Sequence, residues 1–272
     1  MDTQKRKAPV AGTEAGENEH RKGPVRVDEH IVEIISDSGE GAQTAGQMFG
    51  TVSAKMGNSI WTVEIIPAEI EPPARSAAGA SGNRIRLGSF PITNAGDEAD
   101  IVVAFNDQVL KGREASGEFK SGAIILLESM WRTHADPEIA QAYAEVVAKL
   151  IGDGYNVFEV PMNDECRKYV DNPQRGKNMF VVGLLARIYS RNIALLREQI
   201  VAKFRKKGEK VIAPNVQLLE AGYEWAKENV DFEFEVPPWG TLDLETDGTG
   251  DDLQFGSIEI HSERGAESLL EG

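Results

Sequence analysis

The stretch from Ile31 to Gly57 leaves a chain of this kind few folds to adopt. Ile31-Val32-Glu33-Ile34-Ile35 is apolar and β-branched, and Ser36-Asp37-Ser38-Gly39-Glu40-Gly41 follows as a tight turn. Gln43 to Met56 then carries small and apolar residues at helical spacing, until Gly57-Asn58 stops it. A strand that runs through glycines into a helix opens an α/β domain. It also aims unpaired backbone N–H groups, and the positive end of a helix dipole, at whatever lies above the sheet. A phosphate or carboxylate is favoured there. A glycine turn kept for packing alone has the same pattern, so both readings stay open at this point.

The alternation continues along the chain. Trp61 to Ile66 reads as a strand closed by Pro67, and Ser76 to Asn83, rich in Ala, Ser and Gly, as a loop. Asn83 to Gly88 reads as a short strand with Ile85 and Leu87 on one face and Arg84 and Arg86 on the other. Asp100 to Phe105 and Gly122 to Glu128 are buried-strand patterns. Asp136-Pro137 places an N-cap and an N1 proline before a helix with the stripe Ile139, Tyr143, Val146, Val147 and Leu150. Gly152-Asp153-Gly154 ends that helix, and Tyr155 to Val160 returns as a strand.

The last third is helical. Met179 to Tyr189 is apolar nearly all round and is expected to be buried. Asn192 caps a helix with the stripe Ile193, Leu196, Ile200 and Phe204, closed by Lys206-Lys207-Gly208. Glu209 to Val230 is one further helix, kinked or broken at Pro214. The expected fold is a three-layer, Rossmann-like α/β domain with a mainly parallel sheet and a helical C-terminal portion, over residues 29–230. Residues 1–28 are polar and aperiodic and read as a disordered extension. Residues 231–272 read as an acidic, disordered tail. The other reading of that tail is a docking segment, because Trp239, Leu242, Leu244, Leu253 and Phe255 offer apolar anchors.

Composition excludes several functions. A formal charge of −15 argues against nucleic-acid binding. No apolar run approaches the ~20 residues that span a bilayer. Lys5-Arg6-Lys7 is not followed by an apolar segment, so no signal peptide is read and a cytoplasmic location is expected. One cysteine, Cys166, rules out an internal disulfide and a cluster held by four cysteines of this chain. Four scattered histidines make no zinc pattern. No metal site and no catalytic residue is expected.

Five local patterns bear on chemistry. The dinucleotide fingerprint is met by Gly39 and Gly41 but fails at Thr44, with Gly46 two residues late, and Glu64 lies inside its strand. It leaves, as the alternative function, a stand-alone NAD(P)- or flavin-binding Rossmann oxidoreductase. Gly152-Asp153-Gly154 and Asn178 resemble a thiamine diphosphate motif that lacks its second asparagine; a helix stop explains them as well. The loop from Pro67 to Arg84 follows the second strand, where open α/β sheets bind ligands. Arg75 and Arg84 there offer planar forks for phosphate or carboxylate, or for acids of a partner subunit. His134 beside Asp136 reads as an exposed or capping histidine. Cys166 reads as a structural cysteine, or as a low-pKa thiol at a helix start.

Together these segments resemble the gamma domain of 2-oxoacid:ferredoxin oxidoreductases. The match is nearest to the gamma-type domain at the front of 2-oxoglutarate-type alpha subunits. The resemblance rests on Ser36 to Gly41 with Thr44-Ala45-Gly46, on Pro67-Ala68-Glu69-Ile70, and on Asp100 to Asn106. It rests further on Lys177-Asn178-Met179, Leu184-Leu185-Ala186, Phe204, Lys206-Lys207-Gly208, Asn215, and Ala221 to Ala226. Ser36 and Ser38 stand where the family's turn has glycines, and Pro72-Pro73-Ala74-Arg75 replaces its usual glycine-rich stretch. The resemblance implies a subunit of a hetero-oligomer that converts a 2-oxoacid, nearest to 2-oxoglutarate, and coenzyme A into acyl-CoA and CO2. It implies no cofactor bound by this chain alone. Thiamine diphosphate and iron–sulfur clusters would sit in partner subunits, with ferredoxin or another acceptor taking the electrons. It implies coenzyme A contacts at Gly39, Glu40, Gly41, Arg75, Ser76, Ser81, Asn83 and Arg84.

Overall fold

A computed structural model describes residues 23–240. Its main sheet has six strands: β2 (Glu29–Asp37), β3 (Ser59–Ile65), β4 (Ala80–Gly88), β5 (Ala99–Ala104), β6 (Phe119–Glu128) and β7 (Asn156–Val160), in the order β3-β4-β2-β5-β6-β7. Strands β2, β5, β6 and β7 run parallel, while β4 is antiparallel to both its neighbours. The mainly parallel α/β expectation holds. β2 alternates cleanly, with Val32 and Ile34 in one core layer and Ile31 and Ile35 in the other.

Residues 80–82, expected in a loop, are the first residues of β4. They pair with Asp37, Ser36 and Ile35. Their small side chains mark close approach rather than a loop: a Cβ on Gly82 would lie 2.0 Å from the Ile34 carbonyl oxygen.

Helices cover both faces. α2 (Asp107–Ala115) and α3 (Pro137–Gly152) close one side over Ile35, Val102, Ile125 and Leu127. Asp136 caps α3 as expected, accepting from the Glu138 N–H. The other side holds α1 (Ala42–Lys55), α4 (Met162–Arg167), α5 (Lys177–Ile188), α6 (Ile193–Phe204) and α7 (Glu209–Asn229). Every residue of α5 except Asn178 and Arg187 is buried, as its uniform apolarity predicts. α7 lies on α5 with the two backbones in contact. A Cβ on Gly183 would lie 1.9 Å from the Leu219 oxygen, and one on Gly222 the same distance from the Phe180 oxygen. α7 is not broken at Pro214, which falls in its second turn and removes one backbone hydrogen bond without ending the helix.

The boundaries expected at 28 and 231 shift. β1 (Val25–Arg26) pairs in parallel with β8 (Phe234–Glu235), and Val236 is buried. Asn58 Nδ2 donates to the carbonyls of Val236 and Pro237 at 2.9 and 2.8 Å, and the Trp239 N–H donates to Gly57 at 2.7 Å. Residues 25–26 and 234–239 therefore belong to the fold. Leu242, Leu244, Leu253 and Phe255 lie outside the described residues.

Gly183→Ala should lower stability by about 1–3 kcal/mol or more, because the added methyl meets backbone that cannot move aside. Gly152→Ala, with open space around it, should raise stability by about 0.5 kcal/mol through the unfolded chain. Urea denaturation of the two variants checks both signs.

Candidate functional site at the carboxyl end of the sheet

The turn from Asp37 to Gly41 lies at the carboxyl end of β2. Gly39 and Gly41 have φ of +88° and +92°, which side chains rarely tolerate. Gly41 is the N-cap of α1 and offers no side-chain cap, so the first-turn N–H groups of α1 are left for another acceptor. A Cβ on Gly41 would also strike Asn178 Nδ2 at 2.8 Å. The glycine is thus required twice, by conformation and by the approach of α5.

This turn forms one wall of a cleft of about 730 Å³. The lining is completed by the segment before α5 and by the α6–α7 junction. It carries Arg175, Lys203, Lys207 and Lys210. Among the described residues, no carboxylate lies within ion-pair distance of these four cations. In a chain of formal charge −15 this is a local reversal of sign. A helix N-terminus and four cations lining the same cleft suit a polyanionic ligand.

Beneath the turn lies a buried charge cluster. Lys177 Nζ is fully enclosed, 3.6 Å from Glu40 Oε1 and 3.5 Å from Glu128 Oε2. Glu128 accepts the N–H of Met130 at 3.0 Å and that of Asn163 at 2.8 Å. Glu40 accepts the Asp37 N–H at 3.3 Å. Burial pushes both carboxyl groups above their ordinary range, and Lys177 pulls each partly back. Cys166 is buried beside them, and its thiol is pushed up to about 12 by burial and then by Glu128. The low-pKa thiol is therefore corrected: the apolar surroundings that bury Cys166 hold it protonated.

The sequence-predicted contacts divide. Gly39, Glu40 and Gly41 line the cleft. Arg75 reaches the same end of the sheet, but its bonds are to protein. Its N–H donates to both oxygens of Asp37 at 2.9 and 3.0 Å, its guanidinium pairs with buried Asp107 at 2.8 Å, and it stacks 4.1 Å over Trp131. Ser76 caps a 3-10 turn, donating to Pro73 and accepting from Gly79. Ser81 is buried in β4. Asn83 is buried against α1, where a Cβ on Gly46 would lie 2.4 Å from its own Cβ. Arg84 points to the other face. There it donates to Glu33 at 3.0 Å, to the carbonyl of Asp97 at 2.9 Å, and to Glu118. Arg113 donates to the same Glu33 at 2.7 Å.

Residue-level reading missed Glu128, Arg175, Lys203 and Lys210. Lys177 stands out in the family motif, Asn178 there and in the thiamine-like pattern, and Lys206-Lys207 in the family motif and as a helix stop, none of them as lining of an anion cleft. The signal available was the density of cations from Lys203 to Lys210 in an acidic chain.

Two other readings find no site. β4 separates β3 from β2, so Glu64 lies two strands away from the glycine turn, where it accepts from Gln47 at 2.9 Å. Glu64, the acid of the fingerprint, is thus not on a strand that neighbours β2. Gly154, with φ +91°, ends α3 at the far end of the sheet, and Asp153 pairs with Lys149. His134 Nδ1 accepts the Asp136 N–H at 3.2 Å, a capping role.

Glu33 is fully buried between Arg84 and Arg113. Glu33→Ala leaves two cations without their shared partner and should cost about 3–5 kcal/mol. Urea denaturation measures the loss, and a cost under 1 kcal/mol would show the network to be solvated.

A family model described as pyruvate ferredoxin/flavodoxin oxidoreductase matches residues 32–225. The 2-oxoglutarate oxidoreductase subunit KorA of Mycobacterium tuberculosis is 30% identical over 223 residues, covering 78% of this chain and 34% of that subunit. The ketoisovalerate oxidoreductase subunit VorA of Methanothermobacter thermautotrophicus is 26% identical, covering 74% and 37%. The chain thus spans about a third of the length of these relatives. Among solved structures, the 2-oxoglutarate:ferredoxin oxidoreductase of Magnetococcus marinus, with 2-oxoglutarate, coenzyme A and succinyl-CoA bound, superposes with a TM-score of 0.62. It is 23% identical, over 78% of this chain and 33% of that one. The keto/oxoacid ferredoxin oxidoreductase gamma subunit of Geobacter sulfurreducens gives a TM-score of 0.53 at 14% identity, over 74% and 98%. With the family model matched over residues 32–225, most of its length, the chain belongs to the pyruvate ferredoxin/flavodoxin oxidoreductase family.

Proposed function

We propose that this chain is the gamma-type subunit of a 2-oxoacid:ferredoxin oxidoreductase acting on 2-oxoglutarate, and that its cleft receives coenzyme A. The observation that carries the coenzyme A reading is the cleft itself, which the glycine turn lines together with Arg175, Lys203, Lys207 and Lys210. Coenzyme A carries a diphosphate and a ribose phosphate on a bulky nucleotide, which calls for separated anion contacts and room between them. The choice of 2-oxoglutarate follows the name of the M. tuberculosis relative.

In this reading the chain's own residues bind and orient. The turn and rim cations fix the nucleotide end of coenzyme A, leaving its thiol free to reach a neighbouring subunit. Thiamine diphosphate and iron–sulfur clusters are held by partner subunits and supply the carbon–carbon cleavage and electron transfer. Ferredoxin or a similar carrier takes the electrons. We assign the assembly to the cytoplasm; no helix among the described residues is long and apolar enough to cross a membrane. Arg75 is assigned to holding the turn through Asp37, and Arg84 to the opposite face, so neither contacts coenzyme A.

Lys207→Glu with Lys210→Glu, in the complex purified with its partners, should raise the KM for coenzyme A about tenfold or more. The KM for the 2-oxoacid should change little. An unchanged coenzyme A KM would contradict this use of the cleft. Purification of the chain without thiamine- and cluster-bearing partners would contradict the subunit assignment.

A further inference from the structure

We infer that Glu40, Lys177 and Glu128 couple anion capture at the glycine turn to the uptake of one proton, with Glu40 as its acceptor. The inference rests on the cleft being an anion site, and not on the anion being coenzyme A.

Glu40 lies between the two glycines whose backbone lines the cleft. A phosphate group received by this turn arrives beside its carboxylate. That carboxylate is folded inward toward Lys177. Lys177 is shared, since Glu128 lies equally close on the other side. One ammonium group cannot balance two carboxylates and an arriving anion in an enclosed site. Moving Lys177 to the ligand would strand Glu128, which is fully buried. A proton on one carboxylate restores the balance without moving a side chain.

The geometry selects Glu40 over Glu128. Glu128 accepts two backbone N–H bonds, at 3.0 and 2.8 Å, and both favour its ionised form. Glu40 accepts one longer bond, at 3.3 Å, and borders the cleft through which a proton can enter. The other charged and titratable groups nearby do not take this role. Asp37, from the end of β2, adds like charge beside Glu40, and its oxygens hold the Arg75 N–H. Cys166 faces the cluster from α4 and is already protonated. Asp171, Arg175, Lys203, Lys207 and Lys210 line the cleft walls and steer an anion in, but leave the buried floor uncompensated. Burial already holds Glu40 above the usual carboxylate range, so a further negative charge acts in the same direction. Affinity for an anion should therefore fall as pH rises.

The test uses the full chain in its native assembly, wild type and Glu40→Gln, with two probes. Coenzyme A is titrated calorimetrically in buffers of different ionisation heat. Sulfate, which does not titrate between pH 6 and 8, is scored by the rise in melting temperature it produces. The wild type should take up more protons on binding coenzyme A than Glu40→Gln does. Its coenzyme A Kd should rise with pH more steeply than the variant's, by at most about tenfold per pH unit. Sulfate should stabilise the wild type more at pH 6 than at pH 8, and the variant equally at both. Coenzyme A binding with the same proton uptake in both proteins overturns the inference and leaves the coenzyme A reading standing. Sulfate stabilisation with the expected pH dependence, but without coenzyme A binding, does the reverse. No effect of either anion overturns both. Should Glu40→Gln fail to fold, pH-independent stabilisation of the wild type by sulfate is enough to overturn the inference.

Discussion

Helix α5 is the constraint on which the rest of the molecule depends. It is enclosed by the sheet, α1 and α7, so it can tolerate a polar residue only where that residue finds a partner. Its first turn meets this condition at the carboxyl end of the sheet. Lys177 enters there between Glu40 and Glu128, and Asn178 fills the space that a side chain at Gly41 would take. The far side of the same helix rests on α7 through Gly183 and Gly222, with no layer of side chains between the backbones. Moving α5 would therefore disturb the glycine turn and the α7 wall of the cleft together.

The two faces of the sheet use charge differently. Toward α2, Glu33, Arg84, Arg113 and Glu118 satisfy one another and close a buried network around the middle of β2 and β4. Such a network holds register and presents nothing to a ligand. At the carboxyl end, toward α5 to α7, the cations of the cleft rim have no acidic partner among the described residues. Four cations around one cleft, with no paired carboxylate among the described residues of an acidic chain, support the proposed anion site. Arginine alone did not distinguish these situations. Arg84 and Arg175 differ in what lies opposite them, which is a property of the tertiary structure.

Legibility followed the range of the interactions. Strand β2, the turn after it, the cap at Asp136, the buried α5 and the cap at Asn192 are local matters of periodicity and turn chemistry, and all were readable. The start of β4 was not. Ala80-Ser81-Gly82 has a loop composition, and only the neighbouring backbone of β2 shows why small residues are needed there. The partners of Ser81, Asn83 and Arg84 come from β2, α1 and the segment 97–118, so spacing within β4 alone does not reveal them. The packed ends at residues 25–26 and 234–239 depend on contacts across some two hundred positions of sequence. Within the cleft, the glycine turn was visible, but its partners come from helices more than 130 residues later and could not be joined to it without the fold.

The account turns on where a nucleotide polyanion meets this protein. The most direct measurement is the set of backbone amide shifts in the complex, selectively labelled with 15N-glycine, as coenzyme A is added. The account predicts saturable shifts at Gly39 and Gly41, with Gly82, Gly88 and Gly154 unmoved. Shifts confined to glycines outside this turn, or none at saturating ligand, would contradict it.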